Sequence, residues 1–273
     1  MGARRIKRRY RIKRKRSIFH SRFFLPIILF LILFGGSCYL FIFSSYFQIR
    51  EIQISGNKEI RTQDLQELVE NKINQKLLFY QIKNIFLVNS EDIKKTITDG
   101  FPKIAEVNLK RKFPNSLIVE AKEREPIFIW CKDSSPCFYL DKEGIIFEEV
   151  SGDSPGLLKI KSPGIEGFKL GSRIIEKETM IILEEIQSKL RDNLRISIKE
   201  ISISGGKIIV QTEKSWQIYF DLNENPDQEI LNLSQVLEKE ISPEKRESLE
   251  YIDLRFGNRV YYKFRGSGTQ SIK

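Results

Sequence analysis

The first 47 residues of the chain combine a strongly basic segment with a long uncharged one. Residues 1–22 contain eleven Lys or Arg and no acidic residue, and residues 23–47 contain no charged residue. Because a helix rises about 1.5 Å per residue, the uncharged run is long enough to cross a hydrocarbon core about 30 Å thick. The sequence therefore predicts a cytoplasmic basic tail (1–22), a single transmembrane helix (23–47) and an extracytoplasmic remainder, since the Lys and Arg excess marks the cytoplasmic side.

Two cleaved signals are the alternatives to an uncleaved anchor. The apolar run exceeds the about 7–15 residues typical of a signal peptide, and no small-residue cleavage site follows it. Cys38, preceded by Gly35, Gly36 and Ser37, resembles a lipoprotein signal only loosely, and apolar residues continue past it. We expect an uncleaved anchor. Its three small residues are either a close-packing surface for a partner helix or small residues tolerated in a spanning helix.

The net charge of the chain comes almost entirely from its tail. The formal charge is +10, with 46 basic and 36 acidic residues. Without the eleven basic residues of the tail, 35 basic residues stand against 36 acidic ones, a net charge of −1. The folded region thus has no global basic field, and we expect no nucleic-acid partner. We expect the tail to bind anionic lipid headgroups.

Histidine is almost absent, which excludes several catalytic classes. His20 is the only histidine and lies in the tail. The remainder therefore cannot build a Ser-His or Cys-His pair or a histidine-bearing zinc site. It also contains no phosphate-binding glycine loop. We expect no enzyme, cofactor, metal site or small-molecule substrate, although composition alone does not exclude a glycosidase with two carboxylates.

Cys131 and Cys137 flank a polar segment that contains Pro136. If Trp130 and Phe138 lie on paired strands, the two thiols face each other across a hairpin. An extracytoplasmic location permits a disulfide there. The sequence does not favour either alternative, a disulfide or two free thiols.

Residues 48–123 show the pattern of a small α+β domain. Strand-like alternation at 49–55, helical stripes that begin at Thr62 and at Asn89 or Ser90, and alternating runs at 104–109 and 117–122 give the order β-α-α-β-β.

The sequence pattern of residues 124–265 predicts a mostly antiparallel β domain with helices on one face. A flexible tail is predicted at 266–273. Strands are predicted at 127–130, 138–141, 145–148, 199–203, 207–211, 216–221, 251–255 and 259–264. A loop is predicted at 151–171. One helix is predicted at 176–190, with Ile181, Leu183, Ile186 and Leu190 buried, and another is predicted after Asn225, with Pro226 at its first position.

Six segments together resemble a known family. They are ISGNK (54–58), FPKIAEV (101–107), KRKFPNSL (110–117), EREP (123–126), YLDKEGIIF (139–147) and YIDLRF (251–256). Their order, behind a basic tail and one apolar span, resembles the FtsQ/DivIB family of bacterial cell-division proteins, with a POTRA domain followed by a C-terminal β domain.

The resemblance implies a non-enzymatic scaffold at the division site that binds FtsB-like and FtsL-like partners through its C-terminal β region. If the last strand is an edge, it offers unpaired backbone groups to an extended partner segment. The residues implied to bind the partner are Arg255, Phe256, Asn258, Arg259, Val260, Tyr261 and Tyr262. By the period of two, half of the strand must instead fill the core, either Val260 and Tyr262 or, in part, Tyr261 and Phe264.

Two other functions fit a membrane-held chain of this kind. One is a POTRA-bearing tether in secretion or envelope assembly. The other is an anchored wall hydrolase, which requires a pair of carboxylates in a cleft that the sequence does not identify. Fluorescent-tag imaging separates division from tethering, because division predicts rings at midcell.

Overall fold

A computed structural model describes residues 24–77, 80–132, 136–152, 156–162 and 167–272. The predicted basic tail (1–22) lies outside the described residues. The helices are α1 (Phe24–Phe43), α2 (Thr62–Ile73), α3 (Ser90–Gly100), α4 (Lys177–Asp192) and α5 (Pro226–Lys239), with a short 3-10 helix at Lys245–Ser248.

The strands fall into a small sheet, a short hairpin and one large sheet. The first five are β1 (Glu51–Ser55), β2 (Gln75–Leu77), β3 (Tyr80–Ile82), β4 (Ile104–Lys112) and β5 (Ser116–Glu123). The others are β6 (Phe128–Cys131), β7 (Cys137–Leu140), β8 (Ile146–Glu149), β9 (Leu158–Lys161), β10 (Ile198–Ser204), β11 (Lys207–Thr212), β12 (Gln217–Asp221), β13 (Leu249–Phe256), β14 (Arg259–Phe264) and β15 (Gln270–Ile272).

Helix α1 is apolar on all sides and exposed along its length. Within the described part of the chain it is the one helix long and apolar enough to cross a membrane. A helix without a polar face cannot lie on a water-exposed protein surface, so its composition suits a lipid environment.

The region after α1 has the predicted β-α-α-β-β order, with one addition. Strands β1, β5 and β4 form a three-stranded sheet in that order. Helix α2 begins at Thr62, whose hydroxyl oxygen accepts a hydrogen bond from Asn57 Nδ2 (3.0 Å). The β2–β3 hairpin between the two helices was not predicted from the sequence.

The C-terminal region is built on a ten-stranded sheet with the order β15-β14-β13-β12-β11-β10-β9-β6-β7-β8. Most neighbouring pairs are antiparallel, and β9 pairs in parallel with both β6 and β10. The predicted loop at 151–171 therefore contains the strand that joins the two halves of the sheet. Because β9 has only four residues and lies among Gly, Pro and Ser, local sequence patterns did not reveal it.

Helices α4 and α5 cover the sheet and enclose the core. Helix α4 packs against β10 and α5, and α5 packs against β12, β13 and β14. The side chain of Asn225 accepts a hydrogen bond from the Asp227 N–H (2.8 Å) and caps α5, as predicted. On α4 the prediction was wrong at Ile181, which is exposed, because Met180 takes the buried position.

The last residues that the structure describes form a strand. Residues 266–273 were expected to form a flexible tail, but Gln270–Ile272 pairs with β14. The backbone N–H and C=O groups of this segment pair with those of β14, so it forms a strand although its side chains are mostly polar. The outer edge of the large sheet is therefore β15.

Candidate functional site

The predicted partner-binding segment forms the turn and strand near one end of the large sheet. Strand β14 lies between β13 and β15. Its pairing with β15 covers Val260, Tyr261 and Tyr262, which face Ile272, Ser271 and Gln270. The backbone edge expected to be open is thus occupied over three residues by the chain itself.

Two of the predicted residues point into the core. Val260 is 4% exposed and Tyr262 is 7% exposed. The ring of Tyr262 meets that of Phe264 edge to face, with centroids 5.7 Å apart. Their side chains are not available to a partner, so these positions can contribute only backbone groups.

Three other predicted residues form a connected cluster on the opposite face of the sheet. The guanidinium of Arg255 donates two hydrogen bonds to Asp253 (2.8 and 2.7 Å), and these bonds raise the pKa of Arg255. The guanidinium also lies over the ring of Phe256, 5.6 Å from its centroid. Phe256 in turn contacts Tyr261 edge to face (5.0 Å), and about half of its surface is exposed.

Tyr219 and Tyr251, which were not among the predicted site residues, extend this cluster. Their rings stack with centroids 5.3 Å apart. Arg255 lies over the Tyr219 ring at 5.8 Å, and Lys207 lies over it at 5.2 Å. We call the set Tyr219, Tyr251, Arg255, Phe256 and Tyr261 the aromatic face. Tyr219 alternates along β12 with buried Ile218 and Phe220, so the period of two could have revealed it.

The two remaining predicted residues lie at the β13–β14 turn. Asn258 and Arg259 are both exposed. Asn232 on α5 donates a hydrogen bond to the Gly257 carbonyl (2.9 Å) and holds the turn against the helix. Beside the turn is a cavity of about 90 Å³, whose lining includes Asn258, Val260 and Ile272.

The structure joins Cys131 and Cys137 by a disulfide across the β6–β7 hairpin. The two residues are a directly facing pair in the β6–β7 register, next to the pair Trp130 and Phe138. The two cysteines therefore face each other across a hairpin, and of the two alternatives, bridged and free, the structure contains the bridged form.

Glu229 carries the most strongly shifted carboxyl among the described residues. Burial raises its pKa to about 7, although the Asp221 N–H donates a hydrogen bond to its Oε1 (3.0 Å). Its other oxygen has no hydrogen-bond partner among the described residues. Glu229 lies on the core side of α5, only 5% exposed, where no substrate can reach it. Among the described residues, no group of three His, Cys, Asp or Glu is placed to hold a metal ion.

Two family models match successive parts of the chain. A POTRA domain of the FtsQ type matches residues 47–124. The C-terminal domain of the cell division protein FtsQ/DivIB matches residues 129–255. The second match ends at Arg255, so β14 and β15 lie outside it.

Curated relatives align with most of the chain. The chain is 27% identical to the cell division protein DivIB of Clostridium acetobutylicum, over 79% of this chain and 83% of the relative. It is 27% identical to a DivIB of Clostridium botulinum (strain Loch Maree) over 92% and 94% of the two chains. It is 21% identical to the cell division protein FtsQ of Streptomyces bingchenggensis, over 75% of each.

Proposed function

The chain belongs to the FtsQ/DivIB family of cell division proteins, and we propose that it acts as a non-enzymatic, membrane-anchored scaffold of the division machinery. In this role it binds other division proteins, FtsB-like and FtsL-like chains, and so links septum assembly to wall synthesis. The observation that carries the proposal is the combination of a lipid-suited helix, two matched family domains and a half-exposed aromatic face beside a sheet edge.

The edge at β14 is the proposed binding site. An extended partner segment pairs with the backbone of β14 in place of β15, as in strand addition. Strand β15 has only three residues, and Gln270 and Ser271 are exposed. Because so little side-chain surface holds β15, a longer partner strand can replace it with a net gain of hydrogen bonds and buried area.

The aromatic face supplies the side-chain contacts in this proposal. Tyrosine, phenylalanine and arginine provide large contact areas and are frequent among the residues that dominate interface energies. Arg255 is held in place by Asp253 and stays charged, while Phe256 and Tyr261 are prearranged by their mutual contact. A surface that is already ordered loses less conformational entropy on binding.

The topology follows from the first 47 residues. We propose that α1 spans the cell membrane with its N-terminus in the cytoplasm, because the basic excess lies on that side. The basic tail then contacts anionic lipids of the cytoplasmic leaflet. The Cys131–Cys137 disulfide supports an oxidising location for the folded region.

Deletion of β15 tests where the partner binds. The full chain is reconstituted in nanodiscs and titrated with an FtsB-like partner, as wild type and with residues 268–273 removed. If the partner pairs with β14, the deletion strengthens binding several-fold, because a competitor is gone. If the deletion abolishes binding, the partner instead pairs with β15. The proposal that the partner replaces β15 on β14 would then be wrong.

A matched pair of substitutions tests the aromatic face. Tyr261→Glu is expected to weaken partner binding at least tenfold. Tyr139→Glu places the same charge on β7, toward the opposite end of the same sheet, and is expected to leave binding unchanged. Equal effects of the two substitutions would contradict the proposed site. Imaging of a tagged chain tests the division role separately, since a uniform envelope signal would contradict it.

A further inference from the structure

Phe86, Leu87 and Phe113 form an exposed apolar surface that the proposed function does not use. Their exposed fractions are 47%, 44% and 56%. The rings of Phe86 and Phe113 are in contact, with centroids 5.3 Å apart. We call these three residues the apolar tip. Large side chains exposed together in this way mark an interaction surface.

A polar contact ties the tip to the end of α1. The side-chain amide of Asn84 donates hydrogen bonds to the carbonyl oxygens of Phe41 (2.8 Å) and Ile42 (2.9 Å). These carbonyls belong to the last turn of α1, where the helix itself supplies no partner. Asn84 is only 1% exposed, and it precedes Phe86 by two residues. The tip is therefore held close to the end of the helix.

Ring contacts make the apolar surface continuous from α1 to the tip. Phe41 contacts Phe47 (5.3 Å between centroids) and Phe86 (6.4 Å), and Phe47 contacts Phe86 (5.3 Å). The Ile85 N–H also donates a hydrogen bond to the Phe47 carbonyl (3.0 Å). Lipid that covers Phe41 is therefore in reach of the tip through one connected set of rings.

The length of α1 fixes the depth of the tip. Its 20 residues span about 30 Å, which matches the hydrocarbon thickness of a bilayer. The carbonyls that Asn84 binds then lie where hydrocarbon gives way to headgroups. Exposed Arg50, Arg111 and Lys112 belong to the same compact unit of the fold. Aromatic residues accompanied by basic ones are typical of the membrane interface.

We propose that the apolar tip inserts into the bilayer, at the boundary between headgroups and acyl chains of the leaflet at the C-terminal end of α1. The occupant of this surface is lipid. The inference requires that α1 spans the membrane, but it does not depend on the orientation of the chain or on the partner bound at β14.

Depth-dependent fluorescence quenching tests the insertion. The full chain carrying Leu87→Trp or Phe113→Trp is placed in nanodiscs whose lipids are brominated either near the headgroup or near the end of the acyl chain. The added tryptophan is expected to lose fluorescence in both, with the larger loss from bromine near the headgroup. Equal fluorescence in brominated and unbrominated lipid for both variants would overturn the proposal and leave the tip free for a protein partner.

Two controls calibrate this measurement. Wild-type chain supplies the background from Trp130 and Trp216, which are buried in the C-terminal region. Tyr39→Trp places the probe within α1 and must be quenched if the chain is correctly inserted. Failure of division-partner binding would not alter either result, so this test is independent of the proposed function.

Discussion

The guanidinium of Arg124 donates a hydrogen bond to the carboxylate of Asp141, and both side chains are almost completely buried, at 11% and 5% exposed. Arg124 also donates to the Pro102 carbonyl (3.0 Å). Asp141 accepts from the backbone N–H groups of Glu143 (3.0 Å) and Ile145 (2.9 Å). The contact joins two of the segments, 123–126 and 139–147, on which the family resemblance rests.

Asp141→Asn is expected to lower the free energy of unfolding by about 3 kcal/mol, because it leaves the buried Arg124 guanidinium without an opposite charge. The amide oxygen can still accept the two turn hydrogen bonds, so the substitution isolates the charge. Denaturant unfolding of the full chain in micelles, followed by the fluorescence of Trp130 and Trp216, measures the change. Asp192→Asn, which breaks the exposed pair with Arg191, serves as the control and is expected to have little effect. If both substitutions lowered the free energy of unfolding equally, burial of the Arg124–Asp141 pair would not matter for stability.

Gly144→Ala is expected to destabilise the C-terminal region by roughly 2–4 kcal/mol. Its φ is +74°, and an added Cβ would lie 1.8 Å from the backbone oxygen of Ile175. Gly205→Ala is the matched control, because Gly205 also has a positive φ (+58°) but has open space around it. The thermal midpoint of the first variant should therefore fall further than that of the second. Similar midpoints would mean that the backbone shifts to admit the methyl group.

Glu123→Gln is expected to loosen the turn before α2. The Glu123 carboxylate accepts hydrogen bonds from the N–H groups of Lys58 (2.7 Å), Glu59 (3.0 Å) and Ile60 (3.0 Å). Burial opposes its ionisation, but the three bonds outweigh burial and lower its pKa. The stabilisation is therefore present above the ordinary carboxyl pKa and is lost as pH falls through the lowered value. Hydrogen exchange at 58–60 should be faster in the variant near neutral pH, and this difference should shrink in acid.

Glu229 gives the opposite pH dependence. Its pKa is raised by burial, and by the charges of Asp221, Glu224 and Asp253, from an ordinary 4.5 to about 7. The folded state therefore binds its proton more tightly than the unfolded state, and stability falls as pH rises from about 4.5 to about 7.

Glu229→Gln is expected to remove this loss, which amounts to roughly 3 kcal/mol above pH 7. Unfolding of wild type and variant across this pH range measures the difference. Glu184→Gln, at an exposed position on α4, is expected to keep the wild-type slope. If stability of the Glu229→Gln variant depended on pH as it does in wild type, a group other than Glu229 would be responsible.

The sequence predicted the elements that carry their own local pattern. Helix α5 was predictable because Asn225 and Pro226 mark its start and because Ile230, Leu233 and Leu237 repeat at helical spacing. The period of two likewise predicted that half of β14 fills the core, but it left open whether that half is Val260 and Tyr262, which the structure buries, or Tyr261 and Phe264. These patterns are local: buried and exposed side chains alternate within a few residues of the sequence.

Elements defined by distant partners were not predictable in this way. Strand β9 is short and polar on one side, and it exists because β6 and β10 offer backbone groups on both of its edges. Strand β15 depends in the same way on β14. The helical phase of α4 was misassigned because Ile181 and Met180 are both apolar, and only the packed sheet selects between them.

The self-pairing of Gln270–Ile272 has a consequence for how many copies of the chain can share one membrane. Chains anchored in one membrane meet at high local concentration. Unpaired edge strands would then pair between neighbouring chains and cause aggregation. Strand β15 covers three residues of β14 and leaves only a very short strand at the edge of the sheet, which is a poor template for pairing with another chain. In the proposed exchange at β14, the three residues of β15 limit pairing between copies of the chain until the partner displaces them.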